Sequence, residues 1–211
     1  AANLSFYFGE NSSLQIISSP GSDFDHWKYG ARFKSTAGRF EYSFSGIRDK
    51  TDDGDILGIP EKLQLGADIS GEIVKEIGIH AEAAFLNPRY SGMEMSETDS
   101  SYVQIVAGFD YTFDNGLYIL GEYSYNGLGE KSYKNYDLQS FTRLTGGEMS
   151  GLAQNYSAGV ISYIFLDDYT ASLVNIVNLD DVSSVLIPGV EYSFHENISV
   201  KLNSNIFIGN S

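Results

Sequence analysis

Apolar and polar positions alternate most clearly from Tyr102 to Tyr125, where two runs, YVQIVAGFDYTF and LYILGEYSYN, flank Asp114-Asn115-Gly116, the turn chemistry of a β-hairpin. One parity holds Val103, Ile105, Ala107, Phe109, Tyr111 and Phe113, then Leu117, Ile119, Gly121, Tyr123 and Tyr125. The other holds Gln104, Gly108, Asp110, Thr112, Glu122 and Ser124. Successive strand side chains point to opposite faces, so the hairpin has one apolar face edged by aromatics and one polar face. That is the alternation of a wall between lipid and water.

The same period recurs in about twelve segments, near 3 to 9, 13 to 18, 26 to 36, 38 to 47, 62 to 74, 76 to 86, 101 to 113, 117 to 126, 155 to 166, 169 to 179, 184 to 194 and 198 to 209. No segment has a persuasive helical period, so the class predicted is all-β. Connections alternate between short (10 to 12, 37 to 38, 74 to 76, 114 to 116, 167 to 168, 195 to 197) and long (19 to 25, 48 to 61, 87 to 100, 127 to 154, 180 to 183). Short at one end of the strands and long at the other predicts an up-and-down antiparallel transmembrane β-barrel, with residues 1 to 211 as one barrel domain.

The stretch GFDYTFDNGLYILGEYSYNGLG is the part most similar to a Gram-negative outer-membrane β-barrel of the porin-like kind, and the strand pattern extends the resemblance over nearly the whole chain. It implies an outer-membrane location, a lipid bilayer as partner, and passive or weakly selective diffusion of small polar solutes or ions through a lumen. In such barrels both termini usually lie on the side of the short turns, so the first connection should be long, whereas here the first, 10 to 12, and the last, 195 to 197, are both short. The expectation is therefore an internal portion of a larger barrel, of fourteen strands or more when intact, with further strands from sequence outside this chain or from another chain, or a homo-oligomer. Miscounting the weakest strands, 3 to 9 and 13 to 18, is the alternative.

Parity then divides the residues. Val103, Ile105, Ala107, Phe109, Leu117 and Ile119 are expected to face lipid. The lumen set is Lys28, Arg32, Lys34, Arg39 and Glu41 on the third and fourth strands, Asp68, Glu72, His80, Glu82, Asp110 and Glu122 on the fifth to eighth, and Glu191 and Lys201 near the end. Basic groups facing an arc of carboxylates would impose a transverse field that favours polar solutes; ordinary pairing between neighbouring strands is the blander account. Strands nine and ten are ambiguous, because Ser162 and Asn175 interrupt either choice of apolar face. Phe113, Tyr123, Tyr125, Tyr192, Phe194, Trp27, Tyr29 and Tyr42 fall near strand ends, as interfacial girdles do.

Composition agrees with this and narrows the chemistry. The 211 residues include 15 Tyr, 13 Phe and 22 Gly and no Cys, so no disulfide, thiol or covalent haem site is available. With 28 acidic against 13 basic residues the formal charge is −15, which argues against nucleic acid and predicts a mild preference for cations. No run is long and apolar enough for a membrane helix, which leaves spanning strands open. The opening AANLSFYFGE is not a signal peptide.

Candidate reaction chemistry is thin. His26, His80 and His195 lack metal-ligand spacing, and although His80 and Glu82 share a face and could coordinate a metal or relay a proton, a solvated imidazole is the simpler reading. Asp52-Asp53-Gly54-Asp55 resembles a calcium loop only in composition. No catalytic residue, metal site or cofactor is expected, and the prediction is not an enzyme. Segment 127–154 is expected to be an extracellular lid, an inward constriction or a mobile loop. A structural or partner-holding barrel, as a sheath or adhesion scaffold, is the alternative function; an outer-membrane barrel enzyme and a soluble β-sandwich follow.

Overall fold

A computed structural model describes residues 1–21, 27–49, 61–74, 76–89, 101–145, 149, 151–166, 168–195 and 198–209. The strands are β1 Ala2–Phe8, β2 Ser12–Ser19, β3 Lys28–Ala37, β4 Phe40–Asp49, β5 Glu61–Val74, β6 Ile77–Arg89, β7 Tyr102–Thr112, β8 Leu117–Asn126, β9 Asn155–Phe165, β10 Tyr169–Asn178, β11 Ser184–His195, β12 Ile198–Asn203 and β13 Ile206–Ile208. Each of the twelve alternating segments is a strand, the last being split in two. His26, Asp52-Asp53-Gly54-Asp55 and the connections 50–60 and 90–100 lie outside the described residues.

Strands β1 to β12 are hydrogen-bonded in sequence order, with β13 on β11, and are antiparallel wherever the register is described. Among the described residues no pairing joins β1 to β12. The chain forms two compact units, residues 1–71 with 81–105, and residues 72–80 with 106–211.

The turns follow from their residues. Gly116 takes φ +82° and Gly38 φ +62°, a region open to glycine at little steric cost. In the β7–β8 turn Gly116 N–H donates to the Phe113 carbonyl and Phe113 N–H to the Leu117 carbonyl. Pro188, inside β11, has no N–H to donate. Its carbonyl accepts from Ser204 N–H, so its nitrogen side faces β12 and β13, and the ladder there is broken between Asn203 and Ile206. The split of the last strand is the counterpart of that proline.

Two elements depart from the sequence expectation. A 3-10 turn, Tyr133–Asn135, and a helix, α1 Leu138–Thr145, fold within segment 127–154. Asp137 caps α1, its carboxylate accepting from both the N–H and the hydroxyl of Ser140 at 2.8 Å. At eight residues α1 shows barely two turns of periodicity, which is why its pattern is hard to see in sequence.

A conventional core is missing from the described strands. The buried apolar side chains among the described residues are Met149 and Ala153, both in segment 127–154, while Leu4 (59% exposed), Phe44 (58%), Phe109 (50%), Ile161 (50%) and Leu202 (77%) stand in the open. In the first unit one face reads Leu4, Phe6, Leu14, Ile16, Phe33, Phe44, Ala67 and Ile69, and the other Asn3, Ser5, Gln15, Arg32, Lys34, Ser43 and Asp68. In the second unit Ile119, Ile161 and Leu173 share a face with Tyr123 and Tyr192. Asn175 lies on that apolar face and gives its side-chain N–H to the Val185 carbonyl at 3.4 Å, while Ser162 falls on the opposite face beside Tyr118. The register thus removes the ambiguity of strands nine and ten.

Candidate functional site

The polar face carries the side chains with chemistry, and each unit has its own cluster. In the first unit Arg32 is the hub. It sits on β3 directly opposite Gln15 and Ser45, and its long side chain reaches along the sheet to β4 and β5. Its Nε donates to Ser43 Oγ at 3.0 Å and its Nη2 lies 3.4 Å from Asp68 Oδ2. Ser43 Oγ also donates to Asp68 Oδ2. Ser43 is 1% exposed, and a buried hydroxyl left without a partner would be costly, so this triad satisfies it. Beside it Lys34 Nζ meets Glu41 Oε1 at 2.7 Å. Both ion pairs stay well exposed, so they set local potential more than they add stability.

Lys28 heads the same face at the start of β3, opposite Ser19. Arg39 lies in the β3–β4 turn, between Ala37 and Phe40. On β5, Glu72 follows Gly71, whose place on the apolar face opposite Phe40 puts Glu72 on the polar parity.

In the second unit the close approach of neighbours shapes the cluster. His80 Nε2 lies 3.2 Å from Glu122 Oε2. His80 therefore has a described partner across the sheet, on β8, rather than Glu82 on its own strand. The imidazole lies over Gly108, where a Cβ would stand 2.5 Å from its Cε1, and the Asp110 carboxylate lies over Gly78 in the same way, 2.5 Å from Oδ1. Glycine at 78 and 108 is what lets these two polar groups lie flat against the sheet. Further along, Glu191 stands directly opposite Lys201. Among the described residues no group of three His, Asp or Glu side chains has metal-binding geometry.

Val103, Ile105, Ala107, Phe109, Leu117 and Ile119, the residues expected at lipid, share the apolar parity. Ile105 (39%) and Phe109 (50%) are exposed, and the Phe109 ring covers Gly121. Aromatics gather at two levels of this face in the second unit. At the short-turn end Phe165, Tyr169 and Tyr192 stand opposite one another in register and stack at 5.4 Å and 4.4 Å between ring centroids; Tyr111 and Phe113 pair edge to face at 4.5 Å. At the long-loop end are Tyr123 and Tyr125, the latter opposite Asn155. From Phe165 to Asn155 the strand covers about 33 Å, and a strand tilted by about 40° brings this to about 25 Å, the height of the apolar band of a spanning barrel.

The described residues of segment 127–154 fold against one another and against the sheet. Its two legs join where Glu130 N–H donates to the Leu152 carbonyl and Gln154 N–H to the Glu130 carbonyl, and Gly129 packs against the Ala153 backbone. Tyr156 Oη, on the polar face of β9, accepts from Ala153 N–H at 2.8 Å. Asp180 clamps the returning leg, its carboxylate accepting from Gln154 N–H at 2.9 Å and from Asn155 N–H at 2.8 Å, with Asn155 Nδ2 at 2.9 Å. Tyr136 Oη accepts from Asn178 Nδ2 at 3.2 Å. Burial pushes the Tyr136 phenol above its ordinary pKa; the hydrogen bond from Asn178 partly opposes this, and Asp181, Asp180 and Glu130 add to the rise. Sequence reasoning missed this clamp, because Asp180 reads as an ordinary acidic turn residue.

A scan against protein-family models finds no match for the chain, and a search of curated proteins finds no significant similarity.

Proposed function

We propose that this chain forms part of the wall of an outer-membrane β-barrel pore that passes small polar solutes or ions, with a mild preference for cations. The observation that carries the reading is the two-faced sheet whose described strands bury no apolar side chain: exposed apolar side chains cover one face, and charged, hydroxyl and amide groups the other. An apolar face of this extent is untenable in water and natural in hydrocarbon, where every strand satisfies its backbone within the sheet. The two aromatic levels, spaced to the height of an apolar band, support the same orientation. The reading requires β1 and β12 to be paired in the membrane, with each other or with further strands, because unpaired edges are not tolerated there.

The polar face then lines water. Arg32, Lys34 and Lys28 supply local positive potential, and Asp68, Glu72, Glu82, Asp110 and Glu122 a larger negative one, so the preference for cations is weak. The test is planar-bilayer conductance under a salt gradient. The wild type should show a reversal potential on the cation side, and changing the five carboxylates to amides should move it toward anions. An unchanged potential, or no conductance at all, would sink the reading.

A further inference from the structure

The polar face changes character within the second unit. Cross-strand register sets Leu120, Val160, Val174 and Ile187 side by side over β8 to β11, and the next row toward the long loops runs Glu122, Ala158, Ile176 and Val185. The rows beyond are polar on both sides, through Tyr118, Ser162 and Ser172 and through Ser124, Tyr156 and Asn178. The result is a bounded apolar belt on the face that elsewhere carries charge. Ile176 is 41% exposed.

The size of the belt selects the occupant. Four strands span about 14 Å between outer strands, and two rows lie about 7 Å apart along them. That footprint falls far short of the roughly 800 Å² per partner that a stable protein contact needs, and it suits one small molecule. Charge selects the rest: Glu122 sits within the belt at its β8 margin, and Asp110, on the neighbouring strand, carries a second carboxylate, with His80 the group described against Glu122. We propose that the belt binds a small amphiphilic organic cation, its hydrocarbon part on Leu120, Val160, Val174 and Ile187 and its ammonium group toward Glu122. This deepens the pore reading and rests on it only in taking this face as the water-filled one.

The experiment is equilibrium binding to the full chain in lipid nanodiscs, with empty nanodiscs subtracted, using benzyltrimethylammonium, tetramethylammonium, benzyl alcohol and benzenesulfonate. Benzyltrimethylammonium should bind saturably, and roughly tenfold or more tightly than tetramethylammonium, because only it buries a ring. It should likewise surpass benzenesulfonate. Val160→Thr with Val174→Thr, which keep the β-branched shape, should weaken benzyltrimethylammonium several-fold and leave tetramethylammonium unchanged. Glu122→Gln should bring benzyltrimethylammonium down toward benzyl alcohol. Equal binding of the two cations, indifference to the paired threonines, or the absence of saturable binding would overturn the proposal. Conductance of the same preparation separates the two readings: saturable binding without conductance removes only the pore, and conductance without saturable binding removes only the belt.

Discussion

Replacing Asp180 by alanine removes one carboxylate and three hydrogen bonds, two from backbone N–H groups of Gln154 and Asn155 and one from Asn155 Nδ2. The residues are half-buried, so water can reach the freed Asn155 donors, and Gln154 N–H, shared with the Glu130 carbonyl at 3.2 Å, keeps that acceptor; the full penalty of a buried orphan does not apply. A charge-assisted bond to each backbone N–H is then worth about 1 to 1.5 kcal/mol and the side-chain bond about 0.5 kcal/mol, together about 3 kcal/mol. At 1.4 kcal/mol per factor of ten, the opening equilibrium of this leg should rise about a hundredfold. Amide hydrogen exchange reads it directly, as lost protection at Gln154 and Asn155 with little change at Ile161 or Leu173 in the strand centres. Asp180→Asn keeps one acceptor oxygen for the two backbone groups and should lose only about tenfold. Unchanged protection at Gln154 and Asn155 would refute the clamp, and an equal loss in the strand centres would show that Asp180 supports the whole sheet instead.

Val182 holds φ +62° while 69% exposed, an unfavourable backbone for a β-branched residue, so Val182→Asn should raise stability by about 1 kcal/mol, seen as a higher urea midpoint for release from vesicles. Gly108→Ala drives a Cβ into the His80 ring and the Gly121 carbonyl, and should lower the same midpoint by about 1 to 3 kcal/mol equivalent. The Tyr136 phenol has a folded pKa above its unfolded one, so its contribution is complete below pH about 10 and is lost as pH rises through the folded value; the phenolate absorbance of wild type minus Tyr136→Phe should titrate above that of a free tyrosine. Ile105→Arg places a charge on the apolar face and should cost about 2 to 4 kcal/mol of insertion if Ile105 lies near mid-bilayer; folding into liposomes as readily as wild type would reverse the orientation.

Strand positions were legible in the sequence because a period of two repeats over ten or so residues, and the polar and apolar parities carry through the register from Gln15 to Asp68 without a slip. Interruptions were harder. The gap at Ser204 and Asn205 depends on a proline sixteen or more residues earlier, and α1 is too short for its period to rise above chance. The partners of polar side chains were least accessible. His80 reads with Glu82 by alternation, yet the described bond is to Glu122, and only the register between distant strands decides such a choice. The belt around Leu120, Val160, Val174 and Ile187 was hidden for the same reason, since each strand contributes only one or two apolar residues to a face that otherwise looks mixed.

Pro188 has a meaning for assembly. Its ring must face a stretch of the neighbouring chain that asks for no hydrogen-bond donor, and only the break at Ser204 and Asn205 offers one. Sliding β12 by two residues would preserve the inward and outward sense of every side chain, and hydrophobic pattern alone would not resist it. It would, however, set a paired Leu202 or Ile206 against a position that cannot donate. The proline thus acts as a key that fits one alignment of the final hairpin and penalises its neighbours, fixing the strand offset at the sheet's last junction.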